Sequence, residues 1–329
     1  MRSLLGIEVR RFFARRLTRL TALALFLGIV AAGIGMAVNS DRDLAGAQRR
    51  AAAEQTQFIQ SQEAGRQQCL ATVPADQADE QCPPVGDAPP IASFLRDPRI
   101  SFHDHVRDLI RTGAIIGSLV AVLLCASAIG AEWQAGTFAT WLTWEPRRLR
   151  VGASKVFAGV LGSVAVVVVA TALLVGVAAL VAGTRGTFHT VLQDVPPQPH
   201  FAEQTWTLAG RAVAIVALLG AVGAGLALLL RHTVAALGVA IGYLIVGEGV
   251  LGQLNHGDLR HHLLQSRLNA LLDGQYSWMV PIREPDGSID FSPAHQKVVH
   301  ASVASVEIVV VVAILLAVAG VALRRRDIT

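Results

Sequence analysis

Charge is scarce in this chain. Asp, Glu, Lys and Arg make up only 16% of its 329 residues, against about 25% in a water-soluble domain. That scarcity argues against an ordinary soluble enzyme. The 53% of apolar residues and the net charge of only +4 argue against disorder, which needs low hydrophobicity and high net charge. Lysine is nearly missing, confined to Lys155 and Lys297, so the pI near 9.4 is carried by arginine. A basic chain can bind nucleic acid when its basic residues gather on one polar face. Here they flank apolar runs instead, and no nucleic-acid partner is expected.

Catalytic and nucleotide-binding signatures are missing too. No Gly-x-x-x-x-Gly-Lys-Ser/Thr occurs, so the backbone cradle for ATP phosphates is not encoded here. Gly152 and Gly159 flank Lys155 without the required spacing. His-Glu-x-x-His and Gly-x-Ser-x-Gly are absent as well, which removes the common zinc-protease and serine-hydrolase readings. His103, His105 and the His261-His262 pair lack a completing cysteine or acidic triad, and neighbouring helical side chains point about 100° apart. Neither a catalytic residue, a metal site nor a bound cofactor is expected in this chain.

What is plentiful is long apolar sequence. A membrane-crossing helix needs about 20 mostly apolar residues for roughly 30 Å of hydrocarbon. Six stretches qualify or nearly so: 20–38, 112–131, 156–182, 208–230, 234–251 and 301–323. The first is too long for a secretory signal and runs into Asn39-Ser40-Asp41 without a small-residue cleavage site, so it reads as a retained anchor. The expected fold is an all-α membrane protein with six transmembrane helices, preceded by an N-terminal amphipathic helix over 1–19 and closed by a basic tail over 324–329.

Arginine and lysine in short loops set orientation. Arg2, Arg10, Arg11, Arg15, Arg16 and Arg19 precede the first span. Arg147, Arg148, Arg150 and Lys155 follow the second, Arg231 turns between the fourth and fifth, and Arg324, Arg325 and Arg326 end the chain. An even number of spans with both termini cytoplasmic puts all four groups inside. Segments 39–111, 183–207 and 252–300 then face outside, and 132–155 faces the cytoplasm.

The outside segment 39–111 begins with a proline-free, alanine- and glutamine-rich stretch, 41–66, that suits a helix extending the first span. Ala75–Glu80 and the proline-rich Cys82–Pro90 read as irregular. Cys69 and Cys82 lie here, while Cys125 lies in a span. In an oxidising compartment the simplest expectation is a structural Cys69–Cys82 disulfide, two free thiols being the alternative; no Cys-x-x-Cys spacing suggests redox work. In 252–300, Leu259, Leu263, Leu264, Leu268, Leu271 and Leu272 recur at near-helical spacing, as in an amphipathic helix at the interface or over the bundle's mouth. Tyr276 and Trp278 would sit near head groups.

Three ionisable residues fall within spans: Arg211 in the fourth, Glu248 in the fifth and Glu307 in the sixth. Each would lie about 6 to 9 Å inside the outer boundary. A lone carboxylate there costs about 2 to 3 kcal/mol, which favours pairing with Arg211. Two kinds of role stay open: a polar lining for a substrate path or an extracellular gate, and an ion pair that fixes helix packing or simple snorkelling to the nearby interface. Gly238-Val-Ala-Ile-Gly242 allows close helix approach, with a partner in the same chain or a second copy.

The segment 132–155 carries three of the five tryptophans, Trp133, Trp141 and Trp144, and a basic end. It suits a short amphipathic helix with Trp133, Phe138, Trp141 and Leu142 turned to apolar surroundings and Pro146 as its stop. Physics alone leaves a membrane-surface anchor and a docking element equally open. Glu132, Gly136-Thr137, Leu142-Thr143, Pro146-Arg147-Arg148 and the later Lys155 resemble the loop after the second span in permease subunits of type-two, exporter-like ABC transporters. The pattern covers about 25 residues; the order of spans, polar segments and basic ends is similar along the whole chain. The first outside segment is longer than that family's minimum.

The resemblance implies a coupling helix that docks into a separately encoded ABC ATPase. Glu132, Arg147 and Arg148 would make charge-assisted contacts to it, and Trp141 and Trp144 would be buried anchors. It further implies two permease copies with two ATPase copies, ATP and Mg bound by the partner, and no ATPase site in this chain. The expected work is export of a lipophilic or amphipathic compound across the cytoplasmic membrane. The rival expectation is a non-transporting membrane scaffold or sensor whose long outside loop binds a ligand. An ion-coupled carrier fits less well, because the ionisable groups sit toward one edge.

Overall fold

The computed structural model describes residues 2–74, 81–84, 86–95, 98–144, 147–189, 200–251, 262–280, 282–283, 289–290 and 296–325. Its helices are α1 (Arg2–Ala14), α2 (Arg16–Asn39), α3 (Leu44–Thr72), α4 (Ile91–Phe94), α5 (Phe102–Gln134), α6 (Thr137–Trp144), α7 (Arg148–Arg185), α8 (Phe201–Leu230), α9 (Thr233–Gly242), α10 (Leu264–Asp273) and α11 (Ala301–Arg325). A π-helical segment, Tyr243–Leu251, continues α9. Among the described residues six helices are long and apolar enough to cross a membrane: α2, α5, α7, α8, α9 with its π continuation, and α11. The chain is therefore a multi-pass helical membrane protein.

Helices run beyond the apolar stretches where local capping permits. α5 begins at Phe102 rather than near Thr112, because Ser101 Oγ accepts the Asp104 amide at 3.2 Å and satisfies an orphan donor of the first turn. The first span, by contrast, does not continue into the polar stretch. Asp41 Oδ1 accepts the Asp43 amide (3.0 Å) and Asp43 Oδ1 accepts that of Gly46 (2.8 Å). These local carboxylate–amide bonds compete with the helix ladder and start α3 afresh.

The leucine-spaced stretch before the last span is helical from Leu264, and strands follow it. α10 covers only Leu264–Asp273 and ends at Gly274, whose φ of +90° suits glycine; residues 256–261 of the expected helix lie outside the described set, as do 75–80. Then β1 (Gln275–Met279) pairs antiparallel with β4 (Gln296–His300), Gln275 opposite His300 and Met279 opposite Gln296. A second two-residue pair joins β2 (Ile282–Arg283) and β3 (Ile289–Asp290). Trp278, expected near head groups, is buried with Ala270, Val299 and Ala304, since strand alternation turns it inward.

Two compact units make up the chain. The first comprises Met1–Val30, Val106–Val175 and Pro196–Thr329; the second comprises Ala31–His105 and Gly176–Val195. In the second, Cys69 and Cys82 are joined in a disulfide with their Cα atoms 5.9 Å apart. Phe58 of α3 meets Phe94 of α4 at 5.7 Å, and Gln55 donates to the Pro89 carbonyl. Ser40 Oγ donates to the Arg185 carbonyl and accepts the Ile100 amide.

In the first unit α5 and α8 are the innermost spans, with 56% and 44% of their apolar windows buried, against 11–22% for the other four. Small residues let the two come close. A Cβ on Gly223 would lie 2.6 Å from the Val122 carbonyl oxygen, so only glycine fits that crossing. Cys125, Ala126, Ile129, Ala224, Ala227, Leu228 and Phe138 form one core cluster there.

Candidate functional site

The Gly136-Thr137 pair is a helix stop and restart. Gly136 has φ +69°, a conformation that costs a residue with a Cβ about 1–2 kcal/mol. Thr137 Oγ1 donates to the Glu132 carbonyl at 3.3 Å, satisfying one orphan acceptor at the end of α5. The chain turns there into the eight-residue α6.

Aromatic packing seats α6. Phe138 is fully buried and stacks on Trp133, ring centroids 4.2 Å apart and 17° from parallel. Cations cover the outer rings: Arg11 lies 4.5 Å from the Trp141 centroid, Lys155 Nζ 5.6 Å from it, and Arg231 4.6 Å from that of Trp133. Each is within the roughly 6 Å over which a ring face attracts a cation.

Beneath the aromatics lies an ion cluster. Glu132 accepts from both Arg15 and Lys155, and Lys155 Nζ also donates to Glu8 Oε1 at 3.0 Å. The Lys155, Glu8 and Glu132 side chains are only 3%, 7% and 12% exposed. Two carboxylates meet two cations, so the charges cancel. Desolvating such ions costs several kcal/mol each, which is offset only while every partner is present. The cluster joins α1, the bend at Arg15 that precedes α2, the end of α5 and α7 at one point. Phe12 of α1, 2% exposed, packs beside Gly162 of α7.

Glu132 was expected to reach a separate protein; instead the chain's own Arg15 and Lys155 hold it, because a carboxylate this buried needs cations at hand. Glu8, Arg11, Phe12 and Arg15 complete the site and were not singled out from sequence. One signal was available: Glu8 is the sole acidic residue before Asp41 in an arginine-rich stretch. Trp141 is seated in the cluster, Arg147 is exposed, and Arg148 Nη1 donates to the Arg324 carbonyl at 3.4 Å. The Thr143 and Trp144 backbones belong to α6, while their side chains, with that of Leu142, fall outside the described residues, as do Pro146 and Arg326.

The three ionisable residues of the fourth, fifth and sixth spans do not meet one another as expected. Each engages α10. Arg211 Nη1 donates to the Leu272 carbonyl (3.3 Å), Glu248 Oε1 accepts the Gln265 amide (3.2 Å), and Glu307 pairs with Arg267 at 2.6 Å. Arg267 is 3% exposed, so its buried guanidinium demands a carboxylate. α10 thus competes successfully for the groups that would otherwise pair span to span.

Among the described residues no three His, Cys, Asp or Glu side chains converge as a metal site. No family model, curated protein or solved structure matches the chain.

Proposed function

We propose that this chain is the permease subunit of an ATP-driven exporter, moving a lipophilic or amphipathic compound across the cytoplasmic membrane with energy from a separate ABC ATPase. One observation carries the proposal: α6 is a short helix between two spans, seated on a buried ion and aromatic cluster that ties α1, α5 and α7 together. A push on a helix so fixed moves several helices at once, as transmission from a closing ATPase pair requires. The exposed Arg147 beside α6 is suited to a carboxylate on the partner. The basic flanks support a cytoplasmic position for α6 and both termini, and the reading includes a second permease copy.

The test is co-purification of tagged chain from its native host, followed by ATPase assay of the complex. An ATPase should co-purify, and Arg147→Ala should lower its recovery while leaving the permease folded. Recovery of the folded chain with no ATPase would overturn the proposal and favour the scaffold or sensor role.

A further inference from the structure

The fifth span changes register partway. It is α-helical to Gly242 and π-helical from Tyr243 to Leu251, a rare form that recurs at functional sites. Within it, Tyr243 OH donates to Glu248 Oε1 at 3.1 Å. These residues are five apart. In an α-helix, at about 100° per residue, they would stand about 140° apart around the axis. The i to i+5 pattern of the π-helix is what brings them together.

Both oxygens then serve one purpose. Tyr243 OH accepts the Leu264 amide (3.3 Å) and Glu248 Oε1 the Gln265 amide (3.2 Å). These amides belong to the first turn of α10, whose own N-cap residue, Leu263, offers no side-chain bond. Orphan amides and the positive helix end both favour an acceptor carrying negative charge. The rest of α10 is held by Arg267–Glu307, Arg211 to the Leu272 carbonyl, and Arg111–Asp273. The capped state has a cost: Glu248 Oε2 is buried without a hydrogen-bond partner.

We propose that α10 is a releasable strap across the ends of these spans, and that the π register of the fifth span is its latch. Return of 243–251 to α register swings Glu248 away from Tyr243, uncaps α10 and frees its first turn. The mechanism does not depend on the transport proposal and can fail or hold without it.

The experiment uses the full chain in nanodiscs with Ser266→Cys as reporter, since Ser266 is 3% exposed in the first turn of α10. Native Cys125, a buried free thiol, is the internal control, and maleimide modification of both sites is followed by mass spectrometry. Glu248→Ala and Tyr243→Phe should each speed reporter labelling at least tenfold, with little further gain in the double variant, because both act through one cap. Deleting Val250, which removes the extra residue a π segment carries while leaving Tyr243 and Glu248 five apart, should do the same. Glu248→Gln keeps an acceptor oxygen without the charge and should label closer to the parent rate than to that of Glu248→Ala. Parent-rate labelling in Glu248→Ala and the deletion would overturn the latch. So would faster labelling of Cys125 alongside the reporter, which would mean general loosening.

Discussion

Lys155 is one of two lysines in the chain and the one that sees two carboxylates, Glu8 and Glu132. Lys155→Met would leave both buried with Arg15 alone, a loss of about 3–5 kcal/mol, measurable as a fall in the thermal unfolding midpoint in detergent. Glu8→Gln combined with Lys155→Met removes one charge of each sign and should recover more than half of that loss. At Gly136 the φ of +69° makes Gly136→Ala cost about 1–2 kcal/mol. Arg147→Ala, at an exposed position, should change stability by less than about 0.5 kcal/mol. The sequence made Glu132 and Gly136 visible as a pattern but not what Glu132 touches. Its partner Arg15 lies 117 residues away, and local spacing carries no information about such a contact.

Among the elements, the crossing of α5 and α8 depends on a glycine without room for a side chain. Gly223→Ala should destabilise the protein by about 1–3 kcal/mol through overpacking. Gly238→Ala in α9, where an added Cβ meets nothing within 4 Å, should leave the unfolding midpoint in place; equal effects at both would refute close packing as the cause. The spans were legible because twenty apolar residues have few other ways to satisfy a backbone in lipid. β1 and β4 were not, because five-residue strands gain their partner only across the intervening residues 280–295. α10 was legible as amphipathic, yet its start is capped by Tyr243 and Glu248, which leucine spacing does not reveal.

For the whole molecule, the proposed topology is tested residue by residue, with Glu63 expected outside and Arg147 inside. Glu63→Cys, exposed on α3, should react with a membrane-impermeant maleimide on intact cells. Arg147→Cys should react only after permeabilisation. The reverse pattern would turn the protein over and remove α6 from reach of an intracellular ATPase. Span number and mainly helical character followed from hydropathy, whereas the division into two compact units did not. That division depends on packing such as Phe58 on Phe94 and Ser40 on Arg185, which composition does not encode.

The neutrality of the four-residue cluster has a consequence for solution chemistry. Mobile counter-ions weaken attraction between exposed charges beyond about 8–10 Å at moderate ionic strength, but reach buried pairs far less. Added salt should therefore leave Glu8, Arg15, Glu132 and Lys155 joined while it weakens the proposed contact of Arg147 with a partner ATPase. A salt titration of complex recovery would then report the surface contact alone, with the seat of α6 unchanged beneath it.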